Sequence, residues 1–184
     1  MASSINASTS GAGGVITTAD SSGILNLQSG GVTVATINST GIVMASNTAP
    51  AFSAYASATQ SLTTSTFTKI QANIKEFDTN SNYDTTNYRF TPTIAGYYQF
   101  SGGCAFSTTQ TSELLLTLYR NGARYKTLFD MEATSWAGYG TALVYANGST
   151  DYFELYVYSS STGTKTTVGN ARDTYFSGCF VRSA

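Results

Sequence analysis

The sequence predicts an all-β, antiparallel sandwich or barrel, and three observations lead there. Short runs rich in aromatic and aliphatic residues recur from Phe52 to Val181, and several alternate with period two. Polar turns separate them, such as "RNG" at 120–122 and the break between "GTALVYANG" (140–148) and "DYFELYVY" (151–158). Few windows carry a helical period.

The chain divides into two unlike parts. Among its 184 residues, no aromatic side chain precedes Phe52, and Asp20 is the only charged residue before Lys69. Pro50 fixes its own φ and biases Ala49 toward an extended conformation, so the boundary is expected within "SNTAP", giving segments 1–49 and 50–184. The first opens with "MASSINASTSGAGG", a polar, flexible lead. Short apolar pulses follow in "GILNLQSGGVTVATINSTGIVM": Leu25 with Leu27, Val32 with Val34, then Ile37, and Ile42 after the "NSTG" turn. Pulses this short bury too little to offset an ordering cost of ~1–2 kcal/mol per residue. They read as β-hairpins completed by other chains, in an attachment or stalk segment; the alternative is a disordered linker.

Beyond Pro50 the elements are read in order. "FTKIQANIKEF" (67–77) places Phe67, Ile70, Ile74 and Phe77 at a spacing that suits a helix about as well as a bulged strand. "YYQFSGGCAF" (97–106) puts Tyr98, Phe100, Cys104 and Phe106 on one face. "ELLLTLY" (113–119) turns at Asn121 and Gly122 into "ARYKTLF" (123–129). In "DYFELYVY", Phe153, Leu155 and Val157 form the core face, while Tyr152, Glu154, Tyr156 and Tyr158 meet solvent or a partner chain. "TYFSGCFV" (174–181) closes the series, with Phe176, Gly178 and Phe180 on one face. Each buried Phe or Leu contributes ~1.5–3 kcal/mol, enough in sum to hold a domain.

Composition excludes several classes of function. The net charge is −1 and charged residues make up 10%, which argues against neutralising nucleic-acid phosphates and leaves little repulsion between copies. No stretch approaches the roughly 20 apolar residues of a membrane span, and no secretory signal pattern is present. Histidine is absent, removing the commonest acid–base group and zinc ligand. Glu113, Glu132 and Glu154 fall in separate segments, with nothing to pair them as glycosidase carboxylates. No enzyme, cofactor or metal site is expected. Asp78, Asp84, Asp130, Asp151 and Asp173 lack the dense spacing of a calcium loop and are assigned to turns and strand ends.

The order of motifs after Pro50 resembles C1q-like domains. "PAFSAY" (50–55) is similar to their first strand, and Asn80, Tyr83, Asp84, Phe90, Gly96, Tyr98 and Phe100 match their Asn, Tyr-Asp, Phe and Gly-x-Tyr-x-Phe series. "LTLYRNG" (116–122), "DYFEL" (151–155) and "YFSGCF" (175–180) resemble their central strand and turn, a later strand, and their terminal strand. The resemblance implies a jelly roll of the C1q and tumour-necrosis-factor-like kind, with Tyr98, Phe100, Phe176, Gly178 and Phe180 as core signature. It also implies a last strand central in the inner sheet and a homotrimer formed through that sheet. Cys179, out of phase with Phe176 and Phe180, then points to the trimer axis, whereas Cys104 is buried on the opposite face. The opening residues lack a Gly-x-y period and resemble leaders of tailed-bacteriophage structural proteins, implying a virion component made in bacterial cytoplasm and joined to other virion proteins by its N-terminal segment.

The expected function is a trimeric fibre or appendage knob that contacts a host-surface glycan. Trp136, alone in the Gly-flanked stretch "FDMEATSWAGYG", and Tyr139 are the candidate binding residues. The competing reading is a decoration or cement protein that binds no receptor.

Overall fold

The computed structural model describes residues 3–7, 15–18, 21–44, 49–132, 134–163 and 165–184. It divides into two compact units, Met1–Thr48 and Ala49–Ala184. Residues 8–14 of the polar lead and residues 46–48 of the expected boundary lie outside the described residues.

The smaller unit holds strands β1 (Ser3–Ala7), β2 (Val15–Thr18), β3 (Leu25–Ser29), β4 (Val32–Asn38) and β5 (Gly41–Met44), in the spatial order β2-β1-β3-β4-β5. Sequential neighbours β3, β4 and β5 are hairpin-paired, as the turn signals imply. The first pairing departs from hairpins: β1, within the lead read as flexible, runs parallel to β3. With β4 on one edge, β3 still offers a row of backbone donors and acceptors on the other, and β1 satisfies it. In register, Leu25 faces Ile37 and Leu27 faces Ala35, forming a modest apolar face whose Ile42 is 70% exposed.

The larger unit has eleven described strands: β6 (Ala51–Tyr55), β7 (Thr68–Lys69), β8 (Ile74–Asp78), β9 (Tyr83–Asp84), β10 (Arg89–Phe90), β11 (Gly96–Gln110), β12 (Leu114–Arg120), β13 (Ala123–Met131), β14 (Ser135–Ala146), β15 (Phe153–Ser159) and β16 (Tyr175–Ser183). They form two sheets. One has the order β13-β12-β15-β10-β9, with β7 added to β15, and the other β14-β11-β16-β6-β8. The strand nearest the C-terminus, β16, is thus the middle strand of its sheet, antiparallel to β11 on one edge and β6 on the other. The β12–β13 turn forms where expected, with Asn121 and Gly122 at φ 55° and 78°, the left-handed pair that a two-residue hairpin requires.

Aromatic side chains from both sheets fill the sandwich. Phe52 stacks on Phe90 at 4.5 Å and meets Phe176 edge-on at 5.0 Å, while Phe100 lies 4.7 Å from Phe153. Each such pair adds ~0.5–1.5 kcal/mol beyond the area it buries. Tyr98, Phe100 and Phe176 are fully buried; Phe180 is half-buried, its ring edge-on to Tyr98 at 5.2 Å.

The ambiguous stretch 67–77 resolves as β7 and β8 with no helix, and of its four apolar residues only Ile70 is buried in the core. Strand pairing decides this: β7 adds to β15 and β8 to β6, satisfying backbone groups that a short helix would leave open at its ends. Trp136 lies in β14, which begins at Ser135, opposite Gln110. The Tyr152–Glu154–Tyr156–Tyr158 face of β15 is also not open. Phe67 packs on Tyr158 at 5.0 Å, and Glu154 is only 2% exposed.

Candidate interaction surface

Period-two alternation along β11, β14 and β16 sorts their residues between the core and the outer face of the sheet. Register places Tyr97 beside Tyr145, Gln99 beside Leu143, Ser101 beside Thr141 and Gly103 beside Tyr139. On its other edge β11 sets Gln99 beside Cys179, Ser101 beside Ser177 and Gly103 beside Tyr175. β6 and β8 extend the same face with Ser53, Tyr55, Ile74 and Phe77. Gly103 leaves room for two rings: an added Cβ would lie 2.6 Å from both Tyr139 and Tyr175.

This face is apolar and nearly uncharged. Leu143 is 56% exposed, Phe77 51%, Tyr145 42% and Tyr139 41%. Its charges are engaged: Arg182 lies over the Tyr97 ring at 5.2 Å, and Ser53 donates a hydrogen bond to Glu76 at 2.7 Å. A shallow depression of about 210 Å³ opens between Phe77, Gln99, Ser101, Ser177 and Cys179. Partial burial pushes the Tyr139 phenol up, and the nearby Asp173 carboxylate adds to that shift. Contiguous exposed apolar area of this kind marks association surfaces more often than solvent-facing ones.

Among the residues singled out in the sequence, Cys179 is exposed on this face. Cys104 is buried on the other side of the sheet, where desolvation drives its thiol well above the ordinary range and makes it inert. Gly178 faces the core, its added Cβ lying 2.6 Å from the Phe100 ring. Tyr139 belongs to the apolar face. Trp136, three positions earlier on β14 and 56% exposed, projects from the opposite side, so the two do not share a surface. Tyr97, Leu143, Tyr145 and Phe77 went unremarked in the sequence as members of one surface. Their signal was present: the out-of-phase positions of "YYQF" and "ALVY" carry Tyr, Gln and Leu, where a solvent face usually carries charge.

The aspartates serve local structure. Asp84 accepts hydrogen bonds from the Thr86 and Asn87 amides and from the Asn87 side chain, which hold its carboxyl below the usual range. Asp78 accepts from the Asn82 and Tyr83 amides, Asp151 from Asn121 and the Asn147 amide, and Asp173 from Asn170 and Arg172. Among the described residues, no three Asp, Glu, Cys or His side chains are grouped to hold a metal ion.

A second cluster lies on the outer side of the other sheet. Glu154 accepts from Lys69 at 2.7 Å and from Arg89 at 3.0 Å. Arg89 also covers the Tyr152 ring at 4.1 Å, and Tyr119 stacks on Tyr156 at 3.8 Å. One carboxylate held between two cations fastens β7 to β15.

No protein-family model matches the chain, and no curated protein matches its sequence. Solved structures match its fold. The globular domain of zebrafish complement 1qA aligns over 74% of this chain and 99% of its own, with 17% identity and a TM-score of 0.55. Murine APRIL aligns over 72% and 99%, with 14% identity and a TM-score of 0.53. The PRD1 vertex protein P5 aligns over 72% and 97%, with 15% identity and a TM-score of 0.54. The chain therefore has an all-β jelly-roll fold of the C1q and tumour-necrosis-factor-like kind.

Proposed function

We propose that this protein is a non-enzymatic structural component of a bacteriophage particle, a homotrimeric knob anchored through residues 1–49 and carrying the host-contacting surface. The single observation behind the trimer is the apolar, nearly uncharged outer face of the β14-β11-β16-β6-β8 sheet. Left in water, Leu143, Tyr145, Phe77 and Tyr139 forfeit burial energy that a second copy recovers at ~25 cal/mol per Å². A heterologous contact repeated around a threefold axis closes into a ring and leaves no face unsatisfied. The low net charge opposes such association weakly. The same fold in the PRD1 vertex protein supports a place on a virus particle.

Sedimentation equilibrium of the full chain at micromolar concentration tests the assembly. The expected mass is three times 19.4 kDa, and a stable monomer overturns it. Incubation with host cells and with particles lacking this protein tests the role. Saturable binding to cells supports the knob, whereas binding to the depleted particles alone supports the cement reading.

A further inference from the structure

The sheet of the smaller unit has two unlike faces. Register sets Leu25 beside Ile37 and Ile37 beside Ile42, an aliphatic row across β3, β4 and β5, with Leu27 beside Ala35 on the same side. On the other side the side chains are polar and satisfy one another: Thr36 donates to Asn26 at 2.9 Å and Gln28 to Thr33 at 3.4 Å. Ala35 is buried and Leu25, Leu27 and Ile37 are half-buried, whereas Ile42 is 70% exposed. No charged residue lies within any of the five strands, so the sheet lacks the charge that usually keeps an uncovered sheet solitary.

A sheet with one apolar face becomes stable once that face is covered, and the occupant matched best here is the same face of further copies. Aliphatic side chains without charge or directional polar groups are complementary to themselves. Continuity with the larger unit supplies the copies. Only six residues, 45–50, separate β5 from β6, a reach of at most about 24 Å. Three larger units assembled about one axis therefore hold three of these sheets at an effective concentration on the order of millimolar. The dimensions also suit three. Gaps of about 4.8 Å between neighbouring strands make the five-stranded sheet about 19 Å wide. An equilateral triangle of that side has its centre about 5.5 Å from each wall, close to half the ~10 Å between stacked sheets. Three inward-facing sheets thus fill a prism with aliphatic side chains and leave little void. We propose that the apolar face formed by Leu25, Leu27, Ala35, Ile37 and Ile42 is a self-association surface, covered by the same face of two further copies of this chain in a three-sided prism. The inference rests on the homotrimer reading above and extends it from the larger unit to the smaller.

Maleimide labelling of the full-length chain is the test. Ile42→Cys and Thr36→Cys are each made in a Cys179→Ser background, in which the remaining native thiol, Cys104, is buried. Within one chain Ile42 is the more exposed of the two positions, so an unassociated sheet labels Ile42→Cys faster. In chains that sediment as a trimer the order is expected to reverse. Ile42→Cys should then react at least about tenfold more slowly than Thr36→Cys, because labelling waits for the contact to open. Dilution until the chain sediments as a monomer should restore the single-chain order. Labelling of Ile42→Cys in the trimer as fast as, or faster than, Thr36→Cys overturns this inference alone and keeps the trimer reading; the face is then open for a different virion protein. Slow labelling that persists in the diluted monomer places the cover within the same chain and also overturns the inference. A parent that sediments as a monomer or dimer at micromolar concentration overturns the trimer reading and the prism together.

Discussion

Gly178 shows how one missing side chain sets the spacing of a sheet. Glycine inside a strand costs ~0.5–1 kcal/mol in backbone entropy, yet here an added Cβ would lie 2.6 Å from the Phe100 ring and 3.0 Å from the Gln99 carbonyl. Phe100 is fully buried among Phe52, Phe153 and Phe176 and cannot swing aside. Gly178→Val therefore destabilises the larger unit by ~1–3 kcal/mol despite its better strand propensity, read as a lower denaturation midpoint. Tyr98 carries a second residue-scale prediction. Its hydroxyl donates to the Ile94 carbonyl at 2.8 Å, and burial pushes the phenol up from 10.0 to about 12. Below the lower value both folded and unfolded chains keep the proton, so this group adds no pH dependence. Between the two values the unfolded chain ionises first, and stability falls as pH rises. Tyr98→Phe is expected to flatten that alkaline decline in denaturation midpoints while costing ~1 kcal/mol at neutral pH for the lost hydrogen bond. Tyr156, raised to about 12 chiefly by burial, preserves part of the slope.

At the scale of elements, β7 shows how a two-residue strand is kept in place. Its backbone pairs with Tyr156 and Val157, while its Lys69 ammonium reaches Glu154, buried at 2% exposure between Lys69 and Arg89. Replacing Glu154 with Ala leaves two cations facing each other beneath the segment. Lys69 and Arg89 are 26% and 30% exposed, so water screens part of the penalty, and the cost is expected at roughly 1–3 kcal/mol, below that of a fully buried pair. Amide exchange distinguishes this from general unfolding. Faster exchange should concentrate at Thr68–Lys69 and along the β7-facing edge of β15, with β11 and β16 protected as before.

For the whole molecule, the proposed assembly rests on the outer face of the β16 sheet. Leu143 and Tyr145 project from an edge strand and contribute little to the monomer core, being 56% and 42% exposed. Leu143→Lys should leave the cooperative thermal transition of a folded chain in place but shift the sedimenting species from trimer toward monomer, since a buried ammonium without a partner costs several kcal/mol at each of three interfaces. Cys179 offers a second readout on the same face. Its thiol should react with a bulky maleimide more slowly in the parent than in Leu143→Lys, while buried Cys104 stays unreactive in both.

Period-two alternation and turn chemistry are local, which is why the sequence by itself determined the all-β class, the Asn121–Gly122 hairpin and the core faces of β11, β15 and β16. Side chains two apart on a strand must share a face whatever their surroundings, so Tyr98 and Phe100, or Phe153, Leu155 and Val157, could be assigned to the core before any partner strand was known. What lies on the second face depends on segments far away in the chain. Phe67 and Lys69 cover one side of β15 by folding back across more than eighty positions, and no property of "DYFELYVY" encodes that. The parallel pairing of β1 with β3, and the strand character of 67–77, likewise follow from which edges remain open once other strands have paired. The candidate surfaces are products of the tertiary structure for the same reason. Trp136 and Tyr139 lie close in sequence, but a separation of three along a strand sends them to opposite faces. Conversely, register brings Tyr139, Tyr175 and Cys179 onto one apolar face and sets Arg124 beside Tyr119, because the pairing of distant strands alone decides which side chains meet.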